Sequence, residues 1–134
     1  MTAPTLAPAA EKLGFNAGLT CSMQCADLDA TIGWFTDTLG FTLLYKVDEI
    51  AWAEMASPVP GVNVGFSQVE KPDVKGGCTL TWGVDDVDSA RATLEERGVR
   101  FDGETVTYPG MVKLATFFDP DGNHFMLYQD LSQG

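Results

Sequence analysis

The chain runs through one order of elements twice, and this duplication constrains the fold more than any other feature of the sequence. Each half reads as a strand, an acidic cap with a helix, and then about three strands. Aligning Asp27-Leu28-Asp29 with Asp86-Val87-Asp88 shifts the chain by 59 residues. Identities between the halves are few, so the repeat rests on element order and cap placement. The pattern predicts two curved sheets, each with a helix packed on one face and the other face left to line a cleft.

The first module is predicted from apolar spacing and turn residues. LTCSMQC (19–25) has strand length, and Asp27 or Asp29 is a suitable N-cap for the helix that follows it. Apolar residues spaced by four, three and four form one face of that helix, namely Leu28, Ile32, Phe35 and Leu39. Gly40 ends the helix. Three further strands are predicted, at 41–47, 50–56 and 62–68.

The second module follows the same order. A strand is predicted at 78–84, and DDVDS then caps a helix whose apolar face carries Val87, Ala90 and Leu94 and which ends at Gly98. VRFDG (99–103), VKLATFF (112–118) and HFMLYQ (124–129) are the further extended segments. The predicted organisation is a single domain over 1–134, with a loose lead-in at 1–14, module one at 15–68, a polar connector at 69–77 and module two at 78–130.

The charge balance narrows the class of partner. The net charge is −11, from 19 acidic and 8 basic residues. Nucleic acid is excluded as a partner, because its phosphates call for a basic face. A cationic ligand would be drawn in by such a field. Solubility is the simpler explanation of the same charge, and the cationic ligand stays open as the alternative.

The cysteines and apolar runs predict a cytoplasmic protein with no membrane partner. No apolar run reaches the roughly 18 residues that a membrane span needs, and the N-terminal residues do not read as a secretory signal. Three cysteines cannot all pair with one another, and reduced thiols are the simplest interpretation. Cys21 and Cys25 lie four apart on a predicted strand, about 13 Å at ~3.3 Å per residue, so they can neither chelate one ion nor form a disulfide there. We interpret them as small core residues, and the sequence places no base beside Cys78 that would make it a nucleophile.

The order of these motifs resembles the vicinal oxygen chelate superfamily, which includes glyoxalase I, the bleomycin-resistance proteins, fosfomycin-resistance enzymes and extradiol dioxygenases. The resemblance runs in order over about residues 18 to 130, and DPDGN (119–123) after the ATFF strand is its most specific part. It implies an α+β fold of two paired βαβββ modules. It also implies a homodimer in which the eight strands are shared.

The resemblance further implies a divalent metal held by His and Glu side chains from four strands. Carried over strand by strand, the ligand positions fall at Thr20, near Gly65, at Thr79 and at Met126. None of these is an imidazole or a carboxylate, which are the donors that such metals need. We therefore expect no metal at these positions and no cofactor.

Alternation along the predicted strands gives the residues on the cleft side. We predict a ligand-binding wall formed by Thr20, Ser22, Gln24, Trp52, Glu54, Asn63, Thr79, Thr81, His124, Met126 and Tyr128. Hydroxyl and amide groups beside aromatic surface suit an uncharged or cationic organic molecule. For Trp52, stacking on a ligand and plain core packing are both left open. His124 is the only histidine, and it is either a space-filling residue after a turn or a ligand contact able to act as acid or base.

Two functions are compatible with this wall. The first is a metal-free binding protein of the bleomycin-resistance type, which sequesters an aromatic or cationic, antibiotic-like compound without chemistry. The second is a lyase, isomerase, epimerase or related enzyme that uses His124, Glu54 or Tyr128 as acid and base, or a metal bound at shifted positions. Glu54 is the only carboxylate that the sequence places in the cleft, so a mechanism with paired carboxylates is not supported.

Overall fold

Two four-stranded sheets, each backed by a helix, make up the fold in a computed structural model that describes residue 8, residues 18–75 and residues 78–132. The predicted lead-in at 1–14 lies outside the described residues except for Pro8, as do residues 76 and 77 of the connector. The elements are β1 (Leu19–Cys25), α1 (Leu28–Trp34), β2 (Thr42–Val47), β3 (Trp52–Ala56), β4 (Val62–Gln68), β5 (Leu80–Gly83), α2 (Val87–Glu96), β6 (Val106–Tyr108), β7 (Val112–Phe118) and β8 (His124–Asp130). None of the helices in these ranges is long and apolar enough to cross a membrane.

The two sheets have the same topology. Sheet A has the order β1-β4-β3-β2 and sheet B the order β5-β8-β7-β6. In each sheet the first strand of the module pairs in parallel with its last strand, and the remaining pairs are antiparallel. The prediction of two βαβββ modules in an α+β fold is therefore confirmed.

The helix boundaries follow the predicted caps. The Asp27 carboxylate accepts a hydrogen bond from the Ala30 N–H at the start of α1, and Asp86 does the same for Ser89 in α2. After Trp34 the first helix widens into a π-helical turn, Phe35–Leu39, which Gly40 ends with a φ of 76°. Gly98 follows α2 with a φ of 84°. Glycine suits both positions because a side chain is strained at positive φ.

A second pair of caps shows the duplication more closely than the sequence pattern does. Gln68, the last residue of β4, accepts a hydrogen bond from the Leu28 N–H at 2.7 Å. Gln129 of β8 accepts one from the Val87 N–H at 2.9 Å. Each module therefore uses a glutamine from its last strand to satisfy a backbone donor that its helix N-terminus leaves free.

Two predicted strand segments are corrected by the structure, and one strand was not predicted. The segment predicted at 50–56 begins at Trp52, because Asp48–Ile50 forms a 3-10 turn and Ala51 has a φ of 51°. VRFDG (99–103) is not a strand, and only Phe101 forms an isolated bridge, to Phe117. The outer strand of sheet B is β6 instead, which the sequence analysis missed although a β-branched and aromatic run before Pro-Gly is a hairpin signal. The other strands match their predicted positions to within two residues.

One aromatic core joins the two modules. Phe35 is fully buried, and its ring centroid lies 4.7 Å from that of Phe66 in sheet A and 5.8 Å from that of Phe125 in sheet B. Phe117 stacks on Phe125 at 5.5 Å. Cys25 is buried in the same cluster and Cys21 packs against it, as predicted for small core residues.

The DPDGN turn connects the second module to the first. The Asp119 carboxylate accepts hydrogen bonds from the Asp121 N–H and from both the backbone and the side-chain amide of Asn123. Asn123 Nδ2 also donates to the Gln24 carbonyl at 3.2 Å, and Asp121 accepts from the Ala26 N–H. Burial raises the pKa of Asp119, and the hydrogen bonds from Asn123 oppose that rise. The turn therefore holds a buried carboxylate and braces the end of β1.

Replacing Asn123 by Ala should lower the free energy of unfolding by about 1–3 kcal/mol, because it removes the side-chain donor to Asp119 Oδ2 and to the Gln24 carbonyl. Urea denaturation followed by circular dichroism measures this. Ser132→Ala is the control: it removes an exposed hydroxyl-to-carboxylate bond to Asp130 and should change stability by less than about 0.5 kcal/mol. Equal effects of the two substitutions would contradict the role assigned to Asn123.

Candidate ligand-binding site

The face of sheet A that points away from α1, called here open face A, carries a group of the predicted site residues. Residues paired across adjacent strands share a face. Ala53, Met55, Val64 and Phe66 point to the opposite face and are fully buried. The pairing register places on open face A Thr20, Ser22, Gln24, Trp52, Glu54 and Asn63, together with Gly65 and Ser67.

Glu54 is the centre of a hydrogen-bond cluster on open face A. Its Oε1 accepts a hydrogen bond from the Tyr45 hydroxyl at 2.7 Å. Its Oε2 accepts from Asn63 Nδ2 at 2.9 Å and from the Thr20 hydroxyl at 3.2 Å. Donors from β2, β4 and β1 therefore fix the carboxylate of β3 in one orientation.

These contacts also fix the charge of Glu54. The hydrogen bond from Tyr45 is the largest cause that lowers the pKa of the Glu54 carboxyl, Asn63 and Thr20 add to it, and desolvation opposes it. Because the folded pKa lies below the unfolded one, this contribution to stability is present above the unfolded pKa and is lost as the pH falls through the folded value. Glu54 is an anion at neutral pH. A carboxylate oxygen accepts two hydrogen bonds, so Oε1 keeps room for one further donor.

Trp52 packs over a glycine of sheet A. A Cβ built at Gly65 would lie 2.1 Å from Trp52 Cη2 and 2.2 Å from Cζ2. The indole therefore rests on the backbone of β4, in the space that a side chain at position 65 would need. Trp52 is partly exposed and belongs to open face A rather than to the buried core.

The matching face of sheet B, called open face B, carries Thr81, Met126 and Tyr128. Thr81 pairs with Met126 and Gly83 with Tyr128. Phe125 and Leu127 point to the opposite face and are buried. The Tyr128 ring lies across Gly83, where a Cβ would be 3.0 Å from Tyr128 Cζ and Oη. Each open face thus has an aromatic ring laid across a glycine of a neighbouring strand.

A pocket of about 530 Å³ lies between the edge strands β1 and β5. Of the predicted site residues, it brings together Ser22, Gln24, Thr79 and His124. The other predicted residues do not line it and lie on the two open faces: Thr20, Trp52, Glu54, Asn63, Thr81, Met126 and Tyr128. The sequence analysis did not predict that the connector and the DPDGN turn would reach this pocket, where they contribute Asp73, Val74 and Asn123.

His124 lines the pocket and contacts an aromatic ring. Its side chain meets Phe118 edge-to-face, with ring centroids 4.9 Å apart. Over residues 18–75 and 78–132, no hydrogen bond joins His124 to a carboxylate or a thiol. The contact with Phe118 suits a space-filling role and the position in the pocket wall suits a ligand contact, so both interpretations stand.

The four positions where the resemblance implies metal ligands do not fit a metal. The Thr20 hydroxyl donates to Glu54, the surface over Gly65 is covered by Trp52, and Thr79 and Met126 supply a hydroxyl and a thioether. Divalent metals in such sites need imidazole, carboxylate or thiolate donors. In the part of the chain that the structure describes, no three His, Cys, Asp or Glu side chains are grouped so that they could hold a metal ion.

Tyr45 is the main site residue that the sequence analysis missed, and a β-bulge explains why. Strict alternation along β2 puts Leu43 and Tyr45 on the same face. The register between β2 and β3 shifts between these two residues, so Leu43 pairs with Met55 whereas Tyr45 pairs with Glu54. A bulge turns the following side chains over, and this turns the Tyr45 hydroxyl toward Glu54.

Tyr45→Phe should raise the pKa of Glu54, because it removes the hydrogen bond that lowers it most. A carbon-13 NMR pH titration of the Glu54 carboxyl measures the change directly. Tyr108→Phe, which removes an exposed tyrosine hydroxyl on β6, should leave the titration unchanged. An unaltered Glu54 titration in Tyr45→Phe would contradict this account of the cluster.

Solved structures with the same fold cover nearly the whole chain. A glyoxalase/bleomycin resistance protein/dioxygenase superfamily member from Sphaerobacter thermophilus DSM 20745 is 24% identical, with a TM-score of 0.75 over 88% of this chain and 100% of the other. TnmS3, an antibiotic binding protein from Streptomyces sp. CB03234, is 27% identical, with a TM-score of 0.71 over 88% and 98%. The fosfomycin resistance protein FosX from Listeria monocytogenes, solved with Mn(II) and sulfate ion, is 15% identical, with a TM-score of 0.68 over 87% and 92%.

No curated protein matches the chain. A family model does match it over residues 19–127, which takes in every strand and both helices of the structure apart from the last residues of β8. The chain belongs to the Glyoxalase/Bleomycin resistance protein/Dioxygenase superfamily.

Proposed function

We propose that the protein binds a small aromatic or cationic organic compound of antibiotic-like type, without a metal and without turning the compound over. The observation that carries the proposal is the pairing of an anion with an aromatic surface on open face A. Glu54 is held ionised there by its three donors, and it shares a face of β3 with the Trp52 indole, two residues away along the strand. The face of the indole attracts an organic cation through its π-electrons, and the neighbouring carboxylate attracts the same cation through its negative charge.

Three further observations support binding. The net charge of −11 favours approach of a cation over an anion. TnmS3, which shares the fold at 27% identity, is described as an antibiotic binding protein. The metal-ligand positions hold residues that do not fit a metal, so the chemistry common in this superfamily lacks its usual donors here.

The alternative is an enzyme of the same superfamily with altered active-site residues. One observation favours it, since His124 lines a pocket of about 530 Å³ together with Gln24 and Thr79. A histidine at a pocket wall is able to act as acid or base. Reaction of a bound compound is therefore the outcome that separates the two functions.

A thermal-shift screen against metabolites and antibiotics, with mass spectrometry of each compound that binds, tests the proposal. A compound that stabilises the protein should be recovered unchanged, and Trp52→Ala should weaken its binding by about 1–3 kcal/mol through loss of an aromatic contact. Trp34→Phe, on the helix side of the fold, should bind as the wild type does. A compound recovered chemically altered, with turnover lost in His124→Ala, would replace the binding function with the enzymatic one.

We further propose that the protein is a cytoplasmic homodimer in which a second copy packs against the outer strands β2 and β6. Large apolar side chains on the outer strands are well exposed in the single chain, among them Leu44, Tyr45, Val106 and Tyr108. Such exposure is typical of a surface that a partner covers. The three cysteines are free, which suits a reducing compartment. Light scattering should give the mass of two chains of 14.4 kDa, and a mass of one chain would remove the dimer from the proposal.

A further inference from the structure

Gly65 lies on β4, between β1 and β3 in sheet A, at a position where glycine weakens a strand. Its backbone does not call for glycine, because Gly65 is not among the glycines with positive φ. The position of Trp52 does require glycine here. A Cβ at position 65 would lie 2.1 Å from Trp52 Cη2, well below the ordinary van der Waals contact distance of 3.4 Å or more. The requirement for glycine at this position therefore comes from the indole.

We infer that Gly65 is a specificity-determining residue of the proposed binding site: it leaves room for the Trp52 indole to pack over β4 beside the Glu54 carboxylate, so that together they select a planar aromatic cation with an N–H donor at its edge. This inference rests on the proposed binding function and narrows its ligand class. It assigns to Gly65 a role in ligand selection rather than in folding alone.

The spacing of the two groups sets the size of the ligand. Trp52 and Glu54 are two residues apart on β3, so their backbone positions differ by about 7 Å along the strand. A fused aromatic ring system of that width covers the indole and places an edge nitrogen near Glu54. A ligand that stacks there needs the indole in this place, and a Cβ at position 65 would displace it.

The orientation of Glu54 sets the charge of the ligand. Tyr45, Asn63 and Thr20 hold the carboxylate and use three of its acceptor positions, and Oε1 keeps one position free. A protonated or strongly polarised N–H forms the shorter, charge-assisted hydrogen bond there. Tyr45 is the only ionisable group among the hydrogen-bond partners of Glu54 in the described ranges, and no lysine or arginine is among the causes of its pKa shift.

Calorimetric titration with three probes tests the inference. The probes are 9-aminoacridine as a planar aromatic cation, acridone as a neutral planar relative, and cyclohexylammonium as a cation without a π-face. The wild type should bind 9-aminoacridine at least tenfold more tightly than either of the others. Glu54→Gln should remove the preference over acridone, and Trp52→Ala should remove the preference over cyclohexylammonium.

Gly65→Ala is the decisive variant and should weaken 9-aminoacridine binding at least tenfold, because the new methyl group displaces the indole. Gly33→Ala is the matched control, since a Cβ at Gly33 on α1 meets nothing within 4 Å, and it should bind as the wild type does. The double variant Gly65→Ala/Trp52→Phe gives the smaller ring room again and should recover part of the lost affinity. Recovery of affinity would show that Gly65 acts by positioning the indole and not through a general loss of structure. The double variant also tests the inference if Gly65→Ala alone folds poorly.

The outcomes distinguish this inference from the proposed function. If Gly65→Ala binds 9-aminoacridine as the wild type does, or the double variant recovers nothing, the role of Gly65 is wrong. If compounds from the screen bind unchanged but no probe binds, the planar-cation class is wrong while the binding function stands. If a compound is converted chemically and Gly65→Ala raises its KM without changing kcat, the binding function is wrong while the role of Gly65 stands.

Discussion

The packing of Phe35 between the two sheets is the interaction on which the rest of the structure depends. Its ring lies against Phe66 of sheet A and Phe125 of sheet B, so a single buried side chain belongs to the cores of both modules. Aromatic pairs of this kind contribute about 0.5–1.5 kcal/mol each beyond the burial of their surface. Because the two modules share this core on their helix sides, their other faces are left open.

The location of the candidate ligand-binding site follows from this division of each sheet into a buried face and an open face. The core side of sheet A takes Ala53, Met55, Val64 and Phe66, and the alternation of a strand then requires the intervening residues to point outward. Polar groups on the outward side are satisfied by one another, as the donors around Glu54 show. The Trp52 indole among them occupies the space that a side chain at position 65 would need, and Gly65 leaves that space free at the cost of a weaker strand. The same strands therefore supply the core with one set of alternating residues and the candidate binding surface with the other set.

The predictability of the site varied with the kind of interaction. Trp52, Glu54, Thr20 and Asn63 were assigned to one face from alternation alone, and the pairing register places them together there. Tyr45 was missed because a bulge in β2 depends on how β2 pairs with β3. The pocket lining was predicted only in part, because its wall includes Asp73 and Asn123, which come from a connector and a turn. Loop positions carry no period from which a face can be inferred.

The sequence by itself determined the duplicated order of elements, the acidic segments that cap the two helices, the glycines that end the helices, and the buried side of those strands that follow strict alternation. These are local properties, fixed by spacing along the chain and by the backbone chemistry of a few residue types. Only the tertiary structure decided which strands became neighbours, that the Trp52 ring would lie over Gly65, and that three strands would each send a donor to Glu54. Those contacts join residues far apart in the chain, and their geometry depends on strand register and on a bulge that no local pattern encodes.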